Sequence, residues 1–379
     1  MLHNFAGSDG SDPSGLVLAT DGNFYGTASG GTLGDGVIFR ISSSGSFTDL
    51  YNFTGGADGS DPQNSLIQGT DGSFYGANKT GVYSYEPSGT PEIFYSFSYP
   101  QPLGAISQMT QGTDGMLYLV ISAGGVYDCG SVSKLSLQGA VQWERDFGSP
   151  GVCDEYLKTG WGPNAPVIQA SDGNLYSTNL GGGAYDYGTV FRLYSDTGAM
   201  AILLNFDFTN GGLSEAGLVQ GNDGNLYGVS ADGGAFPYAG VIYQLTLPGA
   251  YTFLANVADR QEDWPNWSLL QHTSGTFYGV NLDGGTHEYG AVYSFDNNLG
   301  PFVTFVQSEG SVGSTVQILG QDLTGATQVT FNGVPAKGFS VVSATYLTAV
   351  VPVGATTGTV SITTPTQVLK SNKRFTISQ

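Results

Sequence analysis

Residues Thr20–Gly26 read TDGNFYG, and variants of this heptapeptide return along most of the chain. The later copies are TDGSFYG from Thr70, TDGMLYL from Thr113, SDGNLYS from Ser171, NDGNLYG from Asn222 and TSGTFYG from Thr273. Counted from the Asp at 21, 71, 114, 172 and 223 and from Ser274, the copies are spaced by 43 to 58 residues. A repeat of this length is typical of propellers, solenoids and other arrays.

Each repeat contains four predicted strands. In the first repeat, strands at 16–20 and 23–28 flank Asp21-Gly22, which we predict to be a two-residue hairpin turn with positive φ at both positions. A Gly-Gly loop leads to a third strand at 37–41, and a serine-rich turn leads to a fourth at 47–53. Four antiparallel strands in about fifty residues make one propeller blade. The six copies therefore predict an all-β chain that begins with a six-bladed β-propeller.

The ends of the repeat array predict how the ring closes. The sixth repeat lacks a fourth strand, whereas Leu2-His-Asn-Phe5 at the N-terminus matches Leu50-Tyr-Asn-Phe53, the fourth strand of the first repeat. We expect the N-terminal strand to complete the last blade, which would hide the sheet edges. The alternative is a seven-bladed ring, with a degenerate blade hidden in the long spacing between the third and fourth copies. The Tyr shared by all six copies is interpreted as blade-to-blade packing.

Composition excludes several classes of function. The chain has 379 residues, of which 59 are Gly and 11% are charged, as expected for short strands joined by Gly-rich turns. Its net charge of −20 disfavours nucleic acid and anionic membranes as partners. The apolar runs are far too short for membrane insertion. Separately, we expect the protein to be a monomer.

The repeat pattern stops near residue 298, which predicts a domain boundary between 1–298 and 299–379. The second segment contains short strands with period-two alternation, such as TVQIL from Thr315 and TVSIT from Thr359. We predict a small immunoglobulin-like β-sandwich there.

Two resemblances agree with this architecture. The elements DGNFYGT and GTVFRL resemble the GloVer tandem repeats of secreted bacterial proteins, and GSVGSTVQILGQDLTGATQVTFNGVPA in the tail resembles an IPT/TIG domain. The resemblances imply an extracellular or cell-surface protein, so we interpret the chain as a mature form whose leader has been removed. They bring no catalytic residues with them.

The alternating strand directions sort the loops. In each blade, the Gly-Gly loop lies at the same end as the connection to the next blade. Cys129 is in the third Gly-Gly loop and Cys153 in the following connection, so we predict a disulfide between them; two free thiols are the alternative.

Aromatic and acidic residues gather in the same loops and connections. Aromatic rings can stack on sugar faces, and carboxylates can accept hydrogen bonds from hydroxyls, so this end is the candidate carbohydrate site. The alternative is that the rings pack on one another over the blades. The candidate ligand-binding residues are Tyr127, Trp161, Tyr185, Tyr187, Tyr238, Trp264, Trp267, His287 and Tyr289.

Three functions fit this pattern. The first is an extracytoplasmic binding module for polysaccharide or a cell-surface glycan. The second is a polysaccharide hydrolase or lyase, for which Asp128, Asp186 and Glu288 are candidate carboxylates and His287 is a candidate base. The third is a structural or assembly protein of the cell surface.

The motifs SDGSDP and ADGSDP offer a calcium alternative. Asp9 and Asp12 in the first, and Asp58 and Asp61 in the second, are oxygen donors of the kind that hard cations favour. Asp-Gly and Asp-Pro are also common turn residues, and the spacing lacks that of a known calcium loop. We therefore favour structural turns and expect no other cofactor.

Overall fold

The computed structural model describes residues 1–97, 109–148, 160–235, 239–257, 268–281, 287 and 289–378. Within these residues the secondary structure consists of 34 strands without a helix. The chain divides into two compact units, residues 1–217 with 231–233, and residues 218–230 with 234–379. The predicted all-β class is confirmed.

The first unit contains the sheets of repeats one to four, each an antiparallel meander. The first sheet is β1 (Ser11–Leu18), β2 (Phe24–Ser29), β3 (Val37–Ile41) and β4 (Phe47–Asn52). The second is β5 (Gln63–Gln68), β6 (Phe74–Ala77), β7 (Gly81–Tyr85) and β8 (Glu92–Ser96). The third is β9 (Thr110–Gln111), β10 (Leu117–Ile121), β11 (Ser131–Leu135) and β12 (Val141–Asp146). The fourth is β13 (Trp161–Pro163), β14 (Ile168–Gln169), β15 (Leu175–Gly181), β16 (Thr189–Leu193) and β17 (Met200–Asn205), where β13 and β14 both pair with β15.

The second unit contains the sheets of repeats five and six and the tail. The fifth sheet is β18 (Val219–Gln220), β19 (Leu226–Ser230), β20 (Val241–Leu245) and β21 (Tyr251–Asn256). The sixth has three strands in the described residues, β22 (Leu270–Gln271), β23 (Phe277–Asn281) and β24 (Ala291–Phe295).

The tail forms three further sheets in the same unit. The first is built from β25 (Thr304–Phe305), β27 (Thr315–Leu319), β31 (Tyr346–Val350) and β30 (Gly338–Ser343). The next is built from β29 (Val334–Pro335), β28 (Gln328–Phe331), β32 (Val360–Thr363) and β33 (Val368–Lys370). The third is the parallel pair β26 (Glu309–Ser311) and β34 (Thr376–Ser378). The two four-stranded sheets enclose one hydrophobic core, to which Ile318, Leu347, Phe331 and Ile362 contribute.

The Asp-Gly turns differ from the prediction in one respect. Only the glycine has a positive φ, 82° at Gly22, because the turn spans three residues rather than two. Ala19 and Asn23 close the hairpin through a 2.9 Å hydrogen bond, and the Gly22 N–H donates to the Ala19 carbonyl at 3.0 Å. This is a type I turn followed by a left-handed residue, which leaves the Asp in an ordinary conformation and requires Gly after it.

Small and large residues are matched across the second and third strands of each repeat. Gly76 lies opposite Tyr83, and a Cβ added at Gly76 would stand 2.4 Å from the tyrosine hydroxyl. The third repeat reverses the sizes, with Leu119 opposite Ser133. Packing of the core therefore constrains the combined volume of the two paired side chains and not the size of either one alone.

The Tyr of the heptapeptide packs on the following sheet in the first and fifth repeats, as predicted, whereas Tyr278 of the sixth repeat is 41% exposed. The ring of Tyr25 lies 4.3 Å from that of Phe74, and within the second unit Tyr227 lies 4.4 Å from Phe277. These rings are buried, so each repeat covers part of the next.

Candidate functional site

The Gly-Gly loops of the first unit have one common backbone. Seven-residue loops occupy 30–36, 124–130 and 182–188, and in each the N–H of position seven donates to the carbonyl of position one, at 2.8 to 3.0 Å. Positions one, two, five and seven all have positive φ, which explains the glycines of the motif. The loop is therefore a defined structure that different side chains decorate.

An Asn or Asp at the end of the fourth strand holds each loop in place. Its side-chain oxygen accepts a hydrogen bond from the N–H of position three. The pairs are Asn52 with Thr32 at 2.9 Å, Asp146 with Val126 at 2.8 Å, Asn205 with Ala184 at 2.8 Å and Asn256 with Ala235 at 3.1 Å. The sequence analysis missed these residues, although an Asn or Asp recurs at this position.

Position six is tied to the connection that enters the next repeat. Its carbonyl accepts a hydrogen bond from a backbone N–H whose residue has a positive φ of 49° to 62°. The pairs are Asp35 with Asp61 at 2.8 Å, Cys129 with Gly162 at 3.1 Å and Tyr187 with Leu213 at 2.9 Å. The described parts of loop and connection are thus hydrogen-bonded to each other at this end of the sheets, which we call the loop end.

Two candidate catalytic carboxylates lie at position five. Asp128 and Asp186 have φ of 62° and 63°, a conformation that Asp tolerates better than most residues. Oδ1 of Asp186 accepts a 2.9 Å hydrogen bond from the Gly182 N–H at the start of its own loop. The loop geometry thus gives Asp186 a structural task.

Exposure at positions four and six differs from loop to loop. At position four, Tyr185 is 60% exposed and Leu33 of the first repeat is 58% exposed, whereas Tyr127 is half-buried and packs against the core. At position six, Cys129 is buried and the ring of Tyr187 packs 5.2 Å from Phe208, whereas Tyr289 is exposed. In the described parts of these loops, the exposed aromatic side chains therefore include Tyr185 at position four and Tyr289 at position six.

The remaining aromatic candidates divide into three groups. Trp161 is half-buried in β13, with its ring against Gly181. His287 and Tyr289 are exposed, Tyr289 at 92%. Tyr238, Trp264 and Trp267 lie outside the described residues, as does the candidate acid Glu288.

The predicted disulfide falls partly outside the described residues. Sγ of Cys129 is 3.3 Å from the Tyr127 carbonyl oxygen, inside the third Gly-Gly loop. Cys153 lies in the segment that the structure does not describe, so the bridge stays a prediction.

The opposite end of each sheet, which carries the Asp-Gly turns, is built from repeated hydrogen bonds. The heptapeptide Tyr donates its hydroxyl proton to the Asp of its own turn. The pairs are Tyr25 with Asp21 at 2.9 Å, Tyr75 with Asp71 at 2.6 Å, Tyr118 with Asp114 at 2.8 Å, Tyr176 with Asp172 at 2.8 Å and Tyr227 with Asp223 at 3.0 Å.

These bonds determine the ionisation of the pair. Burial alone would raise the pKa of the Asp172 carboxyl, but hydrogen bonds from Asn174 and Tyr176 outweigh it and hold that pKa below its usual value. For Asp114, bonds from Lys134 and Tyr118 have the same net effect on the pKa. Burial, together with the neighbouring Asp223, raises the pKa of Tyr227 to about 12. The carboxylates of Asp114 and Asp172 are therefore ionised and the phenol of Tyr227 is neutral at neutral pH.

A glutamine clamp joins neighbouring repeats at this end. A Gln three residues before the Asp-Gly turn accepts a hydrogen bond from a backbone N–H in the preceding repeat and donates one to its own turn. In each pair the Gln oxygen accepts the bond from the backbone N–H. The pairs are Gln68 with Thr20 at 2.9 Å, Gln111 with Thr70 at 3.0 Å, Gln169 with Thr113 at 2.7 Å and Gln271 with Asn222 at 3.0 Å. These hydrogen bonds give the end that carries the Asp-Gly turns a structural role.

The calcium candidates are engaged with protein groups. The carboxylate of Asp58 accepts bonds from Tyr51 Oη and from the N–H of Thr54, both at 2.8 Å. Asp9 accepts a 2.7 Å bond from the Ala6 N–H and lies 2.9 Å from His3 Nε2.

The other two calcium candidates differ in their surroundings. Asp61 lies at a bend with a φ of 50° and pairs with Lys79 at 2.6 Å. Asp12 lies within β1 with a φ of 46°, at the register shift between Ser11 and Pro13. In the described part of the chain, no group of three or more His, Cys, Asp or Glu side chains could hold a metal ion. Protein groups thus engage Asp9, Asp58 and Asp61.

Repeat spacing, sheet topology and shared loop geometry define this molecule as an all-β tandem-repeat protein. A family model for the Gloeobacter/Verrucomicrobia repeat matches residues 1–105 and 105–346, and the chain belongs to this family. No sequence among the curated proteins matches the chain. No helix in the described residues is long and apolar enough to cross a membrane.

Several solved structures are similar in fold. A fungal alcohol oxidase of the AA5 family in complex with copper is 14% identical, with 97% of this chain and 85% of that chain covered and a TM-score of 0.46. The periplasmic gluconolactonase of Pseudomonas aeruginosa is 14% identical, with coverages of 67% and 72% and a TM-score of 0.45. A gluconolactonase of Xanthomonas campestris is 10% identical, with coverages of 76% and 88% and a TM-score of 0.41. We transfer none of these activities to this chain.

Proposed function

We propose that this protein is an extracytoplasmic carbohydrate-binding module, built as a six-bladed β-propeller that its N-terminal strand closes, followed by an immunoglobulin-like domain of the IPT/TIG type. The loop end binds polysaccharide or a cell-surface glycan through exposed aromatic side chains.

Ring closure is supported by how the N-terminal residues pack on the first sheet. Phe5 lies edge-on to Phe39 at 5.2 Å, just as Phe53 of the first repeat lies edge-on to Tyr83 of the second at 5.3 Å. His3 bonds to Asp9 as Tyr51 bonds to Asp58, at 2.9 and 2.8 Å. Leu2–Phe5 thus behaves toward the first repeat as a fourth strand of a preceding sheet does.

The sixth sheet exposes apolar side chains whose equivalents are buried in the fifth sheet. Its Tyr278, Val280 and Val292 are 41%, 36% and 75% exposed, whereas the equivalent residues of the fifth sheet, Tyr227, Val229 and Ile242, are exposed by 2% or less. A covering sheet would remove this apolar surface from water.

The exposure of Tyr185 on a rigid loop carries the binding proposal. Its ring is 60% exposed, while hydrogen bonds fix the backbone on both sides, from Gly188 to Gly182 at 3.0 Å and from Ala184 to Asn205 at 2.8 Å. A ring presented in this way loses little conformational entropy when it stacks on a sugar.

The charge of the chain indicates which glycans suit this site. Neutral sugars offer apolar ring faces for Tyr185 and hydroxyl donors for nearby carboxylates. A net charge of −20 would repel polyanions from a loop end that contains Asp128 and Asp186. An extracellular location fits the proposed Cys129–Cys153 disulfide, because such bonds persist in oxidising compartments.

A glycan array followed by titration of the best neutral ligand tests the proposal. We expect Tyr185→Ala to weaken binding about fivefold, since one stacked ring contributes on the order of 1 kcal/mol. The matched control is Tyr194→Ala, because Tyr194 is an exposed Tyr at the opposite end of the same sheet. Equal loss in both variants, or no binding to any neutral glycan, would overturn the proposal.

The same samples test the other two functions. Release of reducing ends or unsaturated products, abolished by Asp186→Asn, would make the protein a hydrolase or lyase. Filaments or large oligomers without glycan binding would make it a structural protein.

A further inference from the structure

Charge is divided unequally between the two segments of the chain. Residues 1–298 contain 7 Lys and Arg and 29 Asp and Glu, whereas residues 299–379 contain 4 and 2. The repeats therefore carry a net charge of −22 and the tail one of +2. A basic segment in so acidic a chain indicates that the tail has a binding partner different from that of the repeats.

Three of the four basic residues of the tail lie in one short segment, Lys370–Arg374, which we call the basic turn. Lys370, Lys373 and Arg374 are all exposed. None of the tail's basic residues lies within ion-pair distance of a carboxylate in the described part of the chain. In the repeats, by contrast, Lys79 and Lys134 are paired with Asp61 and Asp114.

The backbone of the basic turn is fixed at both ends. On one side, the Val303 N–H donates to the Lys370 carbonyl at 3.0 Å, and the Asn372 N–H donates to the Val303 carbonyl at 3.2 Å. On the other side, Phe375 and Gly358 exchange two hydrogen bonds, at 2.8 and 3.0 Å. The three cationic side chains are thus carried by a preorganised loop, and Nη2 of Arg374 also donates a 3.3 Å hydrogen bond to the Thr357 carbonyl.

We propose that the basic turn binds an anionic polysaccharide, so that the tail attaches the protein to a carboxylate-bearing polymer while the repeats carry the neutral-glycan site. Two ammonium groups and one guanidinium suit carboxylates spaced along a polymer. At physiological salt the Debye length is about 8 Å, so the charges of the turn itself contribute most to the contact.

The chemistry favours a polysaccharide over a lipid bilayer. Phe375, the aromatic neighbour of the turn, is buried, so the turn lacks the exposed aromatic anchor that favours a membrane interface; Val368, two residues before Lys370, is an exposed but small apolar side chain. A polysaccharide chain needs only the charges and their hydrogen bonds.

Binding of the full chain to polygalacturonate at about 0.15 M and about 0.5 M salt tests this inference. We expect binding at low salt that the high salt abolishes. The triple variant Lys370→Gln, Lys373→Gln, Arg374→Gln should weaken it about tenfold or more at low salt, with an unchanged unfolding midpoint. Lys337→Gln, which removes the one tail cation outside the turn, is the control and should bind as the parent does.

Three results would overturn the inference. They are equal binding by parent and triple variant, binding to neutral dextran as strong as to polygalacturonate, and binding to phosphatidylglycerol vesicles without binding to polygalacturonate. The inference extends the proposed function, yet the tests are separable: the triple variant should keep neutral-glycan binding, and Tyr185→Ala should keep polygalacturonate binding.

Discussion

The side-chain oxygen of Gln169 accepts hydrogen bonds from both the backbone N–H and the hydroxyl of Thr113, at 2.7 and 3.0 Å. The two residues belong to successive repeats, and Gln169 Nε2 donates to the carbonyl of Gly173 in its own turn at 2.9 Å. One side chain therefore fixes both the turn and its neighbour.

We predict that Gln169→Leu lowers the free energy of unfolding by about 1 kcal/mol, because it leaves partly exposed backbone groups without their partner. Denaturant unfolding measures the change. Gln138→Leu, at an exposed turn position of the third sheet, should have almost no effect. Equal effects of the two variants would show that the clamp does not stabilise the array.

The size-matched core pair predicts strong coupling between Gly76 and Tyr83. Gly76→Ala alone should destabilise the protein by about 1–3 kcal/mol, since the new methyl group meets the tyrosine ring. In a Tyr83→Leu background the same change should cost much less. A double-mutant cycle with additive effects would contradict the packing described.

Stability should fall in acid because of the turn carboxylates. Asp21, Asp114 and Asp172 have pKa values below the usual one when folded, so they bind protons more weakly than in the unfolded chain. Their contribution is complete above the unfolded pKa of about 4 and is lost as the pH falls through the lower folded pKa.

Unfolding free energies between about pH 2 and pH 6 measure this effect. Asp114→Asn should flatten the curve below about pH 4, whereas Asp196→Asn, at an exposed turn position, should not. A curve that both variants leave unchanged would contradict the role of the turn carboxylates.

Chelation should leave the unfolding midpoint unchanged. Hydrogen bonds from Tyr51 and Thr54 engage Asp58, and Lys79 pairs with Asp61, so these carboxylates are already stabilised without a metal. A scan with EDTA checks this, and a lower midpoint that calcium restores would revive the calcium alternative.

Denatured, unreduced protein should contain no titratable thiol. We predict this from the Cys129–Cys153 pairing, which would add on the order of 3 kcal/mol. Two thiols per chain would reject the bridge.

The repeats, their strand order and the bounds of β3 could be predicted from the sequence, because periodicity and turn residues are local signals. It missed the turn type, since Asp-Gly suits both two- and three-residue turns and the difference lies in the φ of Asp21. The glutamine clamp was visible as a Gln three residues before each turn after the first, but its partner is in another repeat.

The candidate site was predicted as a set of loops rather than as a surface. The motif GGAYDYG does not reveal that Tyr185 points outward while Tyr187 packs on Phe208, because Phe208 lies in a separate connection. The structural tasks of Asp128 and Asp186 depend on loop φ values that sequence alone does not give.

Hydrogen exchange at β24 tests ring closure, on which the proposed loop end depends. If Leu2–Phe5 completes the sixth sheet, amides of Ala291–Phe295 that face the open edge should exchange slowly, and removal of residues 1–5 should make them exchange at least about tenfold faster. Exchange in β24 that is fast in the full chain and unchanged by the deletion would contradict the closed ring.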